Sequence, residues 1–237
     1  MRQRILSWNV NGIRAIQKKG FLAWLAQESP DILCLQETKA HLNQLEGALA
    51  NPTGYHAYWT QPDRKGYSGV ATFTKRKPLA VKTGFSVPRF DAEGRVLLTE
   101  FPDFVLLNIY FPNGKASEER LRYKLDFYEE TLQFVQALKS QARKVIISGD
   151  YNTAHRPIDL ARPKANENVS GFLPVERAWI DRWMASGQVD VFRKFNDKPA
   201  QYTWWDLKTG ARVRNVGWRI DYHFVSHDLA SQVTGAG

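Results

Sequence analysis

The stretch VLLTEFPDFVLLNIYF, residues 96–111, decides the fold class. Val96–Phe101 and Val105–Phe111 are each dense in Val, Leu, Ile and Phe, residues that suit a pleated, largely buried surface, and Pro102 and Asp103 punctuate the join. Two strands this close together read as a hairpin-like pair. Such a pair breaks the strict alternation of strand and helix that a fully parallel α/β sheet needs.

Upstream, strands are expected at Ile5–Val10, Ile32–Gln36 and Val70–Thr74, with helices at Phe21–Glu28 and Leu42–Leu49. Downstream, the clearest helix runs over Ser117–Leu138. Ser117 can cap it, Glu118, Glu119 and Arg120 fill a polar first turn, and Leu121, Leu125, Tyr128, Leu132, Val135 and Leu138 recur at helical spacing as a core stripe. Strands at Val145–Ser148 and Tyr222–Val225 and a helix at Pro174–Ala185 complete the pattern. The reading is α+β: sheets packed on each other with helices outside, in a single domain over residues 1–237 with no repeat, low-complexity tract or linker.

The chain has 237 residues, 43% hydrophobic and 24% charged, which supports a real core and excludes disorder as the main state. Its net charge of +9 points to a polyanionic partner, nucleic acid or an anionic surface. Cys34 is the only cysteine, so no internal disulfide can form; inside Ile32-Leu33-Cys34-Leu35 it reads as a buried, inert thiol in a reducing compartment. Asn9, Asn11 and Gly12 interrupt the N-terminal stretch where a signal peptide would be apolar, and no run is long enough to span a bilayer. The expected location is cytoplasmic.

Several strand candidates lead into oxygen-bearing side chains. Ile5–Trp8 leads into Asn9-Val10-Asn11-Gly12, Ile32–Gln36 into Glu37, Asn108–Pro112 into Asn113, Val145–Gly149 into Asp150-Tyr151-Asn152, and Val216–Ile220 into Asp221. Carboxylates and carboxamides are the ligands Mg²⁺ prefers, and a neutral Asn can hold a phosphate oxygen without repelling it. Phosphodiester hydrolysis needs a cation to neutralise developing charge and a group that positions or deprotonates water. Each segment alone has a bland alternative, an exposed carboxylate at Glu37 and an Asx-turn at Asp150-Tyr151-Asn152; their joint occurrence favours chemistry.

At these residues the sequence closely resembles the exonuclease III family of abasic-site endonucleases, within the endonuclease/exonuclease/phosphatase superfamily. The stretches that carry the resemblance are SWNVNGIRA (7–15), LQETK (35–39), GYSGVA (66–71), EGRV (93–96), YFPNG (110–114), GDYNTAH (149–155), IDLARPK (158–164), GFLPVERAW (171–179) and NVGWRIDY (215–222). They follow the family's order over nearly the whole chain. The resemblance implies a four-layered α/β sandwich, two packed and mainly antiparallel sheets flanked by helices. It implies a metal-dependent DNA phosphodiesterase that cuts on the 5′ side of abasic sites in base excision repair and leaves a 3′-hydroxyl, with 3′-phosphodiesterase and 3′→5′ exonuclease action.

The same resemblance assigns roles. Glu37 resembles the principal metal ligand, with Asn9 beside it, for Mg²⁺ or Mn²⁺. Asp150 resembles the carboxylate that aligns or deprotonates water, Asn152 its partner at the phosphate, and Tyr110 the phenol on the scissile phosphate. Arg14, Lys39, Tyr67, Arg95, Asn113, Lys115 and Asn166 resemble DNA-contacting or pocket-edge residues, whose cations would make affinity fall with salt. Trp204 and Trp218 resemble the apolar walls of a pocket for a flipped-out baseless sugar. Trp205 is assigned to core packing, His155 to bracing its turn, and His227-Asp228 to a variable turn.

The family normally ends in a Ser-Asp-His motif on a last loop, followed by a closing strand, and no segment here supplies it. Asp221, which in the family orients that histidine, would lack this partner. The expectations are a fold short of its last strand, an open sheet edge that a second copy could pair, and loss of an acid/base group worth ~10²–10⁴-fold in rate. Double-stranded DNA with abasic sites is the expected partner of a protein acting as a monomer without a membrane. The alternatives are a catalytically weakened abasic-DNA binder and a uracil-nicking relative. Inositol-phosphate and sphingomyelin phosphodiesterases of the superfamily fit less well with NVGWRIDY, Lys39 and the basic charge.

Overall fold

The computed structural model describes residues 2–237, and the chain divides into two compact units. The first contains the chain up to Tyr110 and Ile147–Gly149; the second contains Phe111–Ile146 and Asp150–Gly237. The strands, in chain order, are β1 (Ile5–Asn9), β2 (Ile32–Gln36), β3 (His56–Trp59), β4 (Val70–Thr74), β5 (Ala80–Thr83), β6 (Val96–Glu100), β7 (Val105–Tyr110), β8 (Val145–Asp150), β9 (Gln188–Asp190), β10 (Trp204–Trp205), β11 (Gly217–Trp218) and β12 (Asp221–Ser226). The α-helices are α1 (Ile13–Gln17), α2 (Phe21–Glu28), α3 (Gly47–Ala50), α4 (Pro88–Asp91), α5 (Glu118–Ser140), α6 (Pro163–Asn166), α7 (Pro174–Ala185), α8 (Val191–Phe195) and α9 (His227–Ala230).

The strands form two large sheets flanked by helices, with orders β1-β2-β4-β3 and β5-β6-β7-β8-β12-β9, and a small pair β10-β11. The fold is therefore α+β. Strand β1 pairs parallel with β2, Ser7 opposite Cys34; β2–β4 and β3–β4 are antiparallel. The residue 96–111 hairpin forms as read, with Val96 opposite Ile109 and Phe101 N donating to Phe104 O at 2.9 Å across its turn.

Within the first unit, period-two alternation explains why β2 and β4 are buried on both faces. Leu33, Leu35, Ala71 and Phe73 join Ile13, Phe21 and Leu25 in one apolar core. The opposite face carries polar residues that meet β7: buried Asn108 donates to Ala71 O at 2.8 Å and to Thr72 Oγ1 at 3.2 Å, and accepts from Gln36 Nε2 at 2.8 Å. A buried carboxamide with its hydrogen bonds made fixes the register of packed sheets at little cost. Cys34 is fully buried, as expected, and burial pushes its thiol up to about 12 against a hydrogen bond with Ser148. Gly149 is required by close approach: its φ is +150°, and a Cβ there would lie 1.8 Å from Ile109 O.

In the second unit, Ser117 caps α5 by accepting from Arg120 N at 3.1 Å. The buried face of α5 is rotated from the expected stripe. It holds Lys124, Phe127, Tyr128, Thr131, Leu132 and Val135, whereas Leu121, Leu125 and Leu138 are half-buried. An aromatic stack fills the core: Phe111 on Tyr151 at 4.1 Å, Tyr128 on Trp179 at 4.1 Å, and Trp179 on Trp183 at 5.3 Å.

Other departures are local. The helix expected over Leu42–Leu49 is a 3₁₀ turn, Leu42–Gln44, and the short α3, because Leu45 is extended between them. Strands β3, β5, β9 and β10 were not anticipated; each has four residues or fewer, too few for an alternating pattern to register. Trp205 is half-buried on the two-stranded pair, its Nε1 donating to Asn215 Oδ1 at 3.1 Å, and so lies outside the core. His227 and Asp228 open α9 rather than a plain turn. Among the described residues no helix is long and apolar enough to cross a membrane.

Candidate active site

In the first unit, parallel pairing sets Asn9 opposite Gln36, so Glu37, the residue after β2, emerges beside the end of β1. Glu37 (φ 52°), Lys39 (φ 50°) and Asn11 (φ 47°) all take the left-handed conformation, which costs a Glu or Lys on the order of 1–3 kcal/mol. The surroundings hold it in place. Gly12 N donates to Glu37 O at 2.7 Å, Thr38 N to Gly69 O at 3.0 Å and Lys39 N to Ser68 O at 2.9 Å.

The turn gathers donors around the Glu37 carboxylate. Oε1 accepts from Asn9 Nδ2 at 3.0 Å and from the Tyr110 hydroxyl at 2.5 Å. Oε2 is 2.8 Å from Lys39 Nζ, which also donates to Asn11 Oδ1 at 2.5 Å. Burial alone would raise this carboxyl, but the hydrogen bonds from Asn9, Lys39 and Tyr110 and the Lys39 charge outweigh it and hold Glu37 below the usual carboxylate value. It is an anion at neutral pH.

The oxygens these donors surround, the Glu37 carboxylate and the Asn11 carboxamide, fit a hard divalent cation. The Lys39 ammonium already sits against one carboxylate oxygen and one carboxamide oxygen, so positive charge is accommodated there. Among the described residues no three His, Cys, Asp or Glu cluster as a metal cage. One carboxylate with carboxamides and water is the manner in which Mg²⁺ is commonly held. Asn9 meets Glu37 through its amide nitrogen and so supports the carboxylate, and Asn11, passed over in the sequence, joins the group. Only its place in Asn-Val-Asn-Gly, where Asn tolerates a left-handed turn, could have signalled it.

Of the two expectations for Arg95, DNA contact or pocket edge, a side chain only 2% exposed fits the second better. The guanidinium pairs with Glu93, donates to Tyr110 O at 3.0 Å and to the Tyr67 hydroxyl at 3.0 Å, and lies 4.5 Å from the Tyr110 ring centroid. It braces Tyr110. Tyr67 is half-buried in the same brace, and Arg14 is exposed on α1.

In the second unit, Asp150 ends β8 and is 2% exposed. Its Oδ1 accepts from Asn152 N at 2.7 Å, an Asx turn that sets Asn152 at φ 51°. Asn152 Nδ2 donates to Phe111 O at 2.8 Å, and its Oδ1 accepts from Asn113 Nδ2 at 3.0 Å. Asn113 Oδ1 in turn accepts from Lys115 N at 2.8 Å. Residues 111–115 and 150–152 of this unit are thus one hydrogen-bonded surface.

Trp204 and Trp218 are direct cross-strand partners on β10 and β11, and Lys115 Nζ lies 5.6 Å and 5.3 Å from their ring centroids. Trp204 is 40% exposed, more than core packing allows. Asp221 is half-buried at the start of β12. Asn166 gives its Nδ2 to Arg162 O at 2.9 Å, so its amide serves the local turn. His155 is buried, its ring Nε2 2.7 Å from Asp181 Oδ1 and its backbone N–H donating to the Tyr222 hydroxyl at 3.1 Å, an arrangement that braces the turn.

The sequence pattern of the Endonuclease/Exonuclease/phosphatase family matches residues 6–237. The chain is 43% identical over 235 residues to an exodeoxyribonuclease of Bacillus subtilis, covering 98% of this chain and 92% of that protein. It is 41% identical over 229 residues to a DNA repair nuclease of Danio rerio, covering 95% and 74%. An AP endonuclease from Archaeoglobus fulgidus superposes with a TM-score of 0.88 at 30% identity, over 97% of this chain and 89% of that one. A 3′ phosphatase from Neisseria, bound to a product DNA hairpin, gives 0.89 at 28% identity over 97% and 89%.

Proposed function

Because the chain belongs to the endonuclease/exonuclease/phosphatase family, we propose that it is a metal-dependent DNA-repair nuclease. It hydrolyses the phosphodiester 5′ to an abasic site, leaves a 3′-hydroxyl, and trims 3′ ends by phosphodiesterase and exonuclease action. The observation that carries this reading is the Glu37 carboxylate, kept ionised beside Asn9 and Tyr110 at the ends of three strands.

Glu37, supported by Asn9, holds the cation, with Mg²⁺ the physiological ion and Mn²⁺ a substitute. When bound, the ion neutralises charge that builds on a phosphate oxygen. The Tyr110 hydroxyl, whose single proton goes to Glu37 Oε1 in the free protein, turns that proton to the phosphate once substrate and cation are in place, stabilising the pentacovalent transition state without adding charge. Asp150 orients the attacking water and takes its proton, while Asn152 holds a phosphate oxygen. Trp204 and Trp218 receive the baseless sugar on an apolar wall, and Arg14, Lys39, Asn113 and Lys115 meet the backbone. The protein acts as a monomer in the cytoplasm, on double-stranded DNA.

The test is nicking of a duplex with one tetrahydrofuran abasic analogue, with Mg²⁺, with Mn²⁺ and with chelator. Metal-dependent cleavage that Asp150→Ala removes is expected. Equal background cleavage by wild type and Asp150→Ala would refute the assignment, and tight abasic binding with no metal-stimulated cleavage would mark a binding protein instead.

A further inference from the structure

Lys124 and Glu176 are both fully buried, at 0% side-chain exposure, and 2.6 Å apart. Helical spacing gives no reason for a lysine on the buried face of α5. All three ammonium donors are used: Glu176 Oε1 at 2.6 Å, Asn152 O at 2.8 Å and Thr153 Oγ1 at 2.8 Å. Glu176, in the first turn of α7, accepts from Ser170 Oγ at 2.9 Å, Gly171 N at 2.6 Å and Leu173 N at 3.0 Å. An apolar pair of the same volume would often be no less stable, so stability is a weak reason for an ion pair here.

What the pair joins supplies a better reason. On the Lys124 side lies the Asp150–Thr153 turn, and on the Glu176 side the 170–173 loop. Ala154 N donates to Gly171 O at 2.8 Å, closing the joint. Gly171 (φ 100°) sits where a Cβ would lie 3.2 Å from Asn152 O and 3.3 Å from Trp218 Cζ3. The loop is therefore a spacer between the Asn152 turn and the Trp218 ring.

We propose that Lys124 and Glu176 are a positioning pair, which fixes the Asp150–Asn152 turn against the 170–173 loop and the Trp218 wall so that phosphate-holding and sugar-holding groups keep one spacing. This rests on the nuclease reading above. A displacement of about 1 Å at such a distance from the chemistry costs on the order of 10²-fold in rate.

The test is the double variant Lys124→Met with Glu176→Gln, which removes both charges but keeps an acceptor at the start of α7. Steady-state cleavage of the abasic duplex is expected to lose about 10²-fold in kcat at little-changed KM, with the melting midpoint retained. Amide hydrogen exchange, read without DNA or metal, should accelerate at Ala154 and Gly171 while β6 and β7 keep their protection. Wild-type kcat together with wild-type protection at Ala154 and Gly171 would overturn the proposal. If the double variant does not fold, Ser170→Ala, which leaves the ion pair intact and removes one bond between Glu176 and the 170–173 loop, is measured against the same kinetic and exchange outcomes. If wild type itself fails to cut abasic DNA, the nuclease reading falls, and the exchange measurement still decides whether the pair holds the turn.

Discussion

The Tyr110 hydroxyl donates to Glu37 Oε1 at 2.5 Å, joining the last residue of β7 to the residue that follows β2. A hydrogen bond to a carboxylate is stronger than one between neutral groups, so the phenol both orients Glu37 and helps keep it ionised. Tyr110→Phe removes the donor and keeps the ring that Arg95 stacks on. We expect kcat for abasic-duplex cleavage to fall about 10²–10³-fold, the usual loss of one transition-state donor. Stability should change by only about 1–2 kcal/mol in urea unfolding. Retention of wild-type kcat would remove Tyr110 from the chemistry.

Trp204 gives a cleaner test of the sugar pocket than Trp218, because it is more exposed and its loss leaves the core alone. Trp204→Ala should weaken binding of the abasic duplex by about 1–2 kcal/mol, the order expected for apolar area covered by the baseless sugar, and leave the melting midpoint in place. Degradation of undamaged 3′ ends should fall less, since an intact nucleotide gains nothing from that wall. A gel-shift series on abasic and intact duplexes, run beside exonuclease assays, measures both. Equal loss on the two substrates would assign Trp204 to general DNA contact.

Much of this architecture is legible in the residues. The 96–111 hairpin, the Ser117 cap and the polar ends of β1, β2, β7 and β8 follow from local pattern, and the structure places Asn9, Glu37 and Tyr110 within hydrogen-bonding distance. Tertiary context decided the rest. Lys124 breaks the apolar stripe of α5 because its partner, Glu176, is far away in sequence. For Arg95 the choice between DNA contact and pocket edge stays open in the sequence, because nothing nearby announces that Tyr67 and Tyr110 will enclose it. Strands β9 and β10 are three and two residues long, too short for period two to register.

The Arg95 brace separates two accounts of one residue. A surface phosphate contact could be removed with little effect on the fold. A buried guanidinium facing Glu93, the Tyr67 hydroxyl and the Tyr110 carbonyl could not. Arg95→Met should destabilise the protein by about 3–5 kcal/mol, because it leaves the Glu93 charge behind in the brace. The slope of log affinity against log salt should stay as in wild type, since no phosphate contact is lost. A flatter salt slope with unchanged stability would restore Arg95 to the DNA surface.

His223 predicts how the fold responds to acid. Desolvation on β12 lowers its imidazole from the ordinary 6.5 to about 4, with the Asp190 charge pulling partly the other way. The folded state thus stays neutral at His223 while the unfolded chain takes up a proton below pH 6.5. Stability must fall as pH drops from 6.5 towards 4 and level off below that, so far as this group is concerned. Asp159 works in a separate window. Burial pushes its carboxyl up, but hydrogen bonds and charge from Arg219 and Arg193 prevail and hold it below 3.8. Its contribution is complete above pH 3.8 and is lost only as pH falls through that lowered value. His223→Gln should therefore flatten the urea midpoint between pH 6.5 and 4 while leaving the steeper loss below pH 3.8 in place. A wild-type pH slope in His223→Gln across the upper window would show that the imidazole is not the group that titrates there.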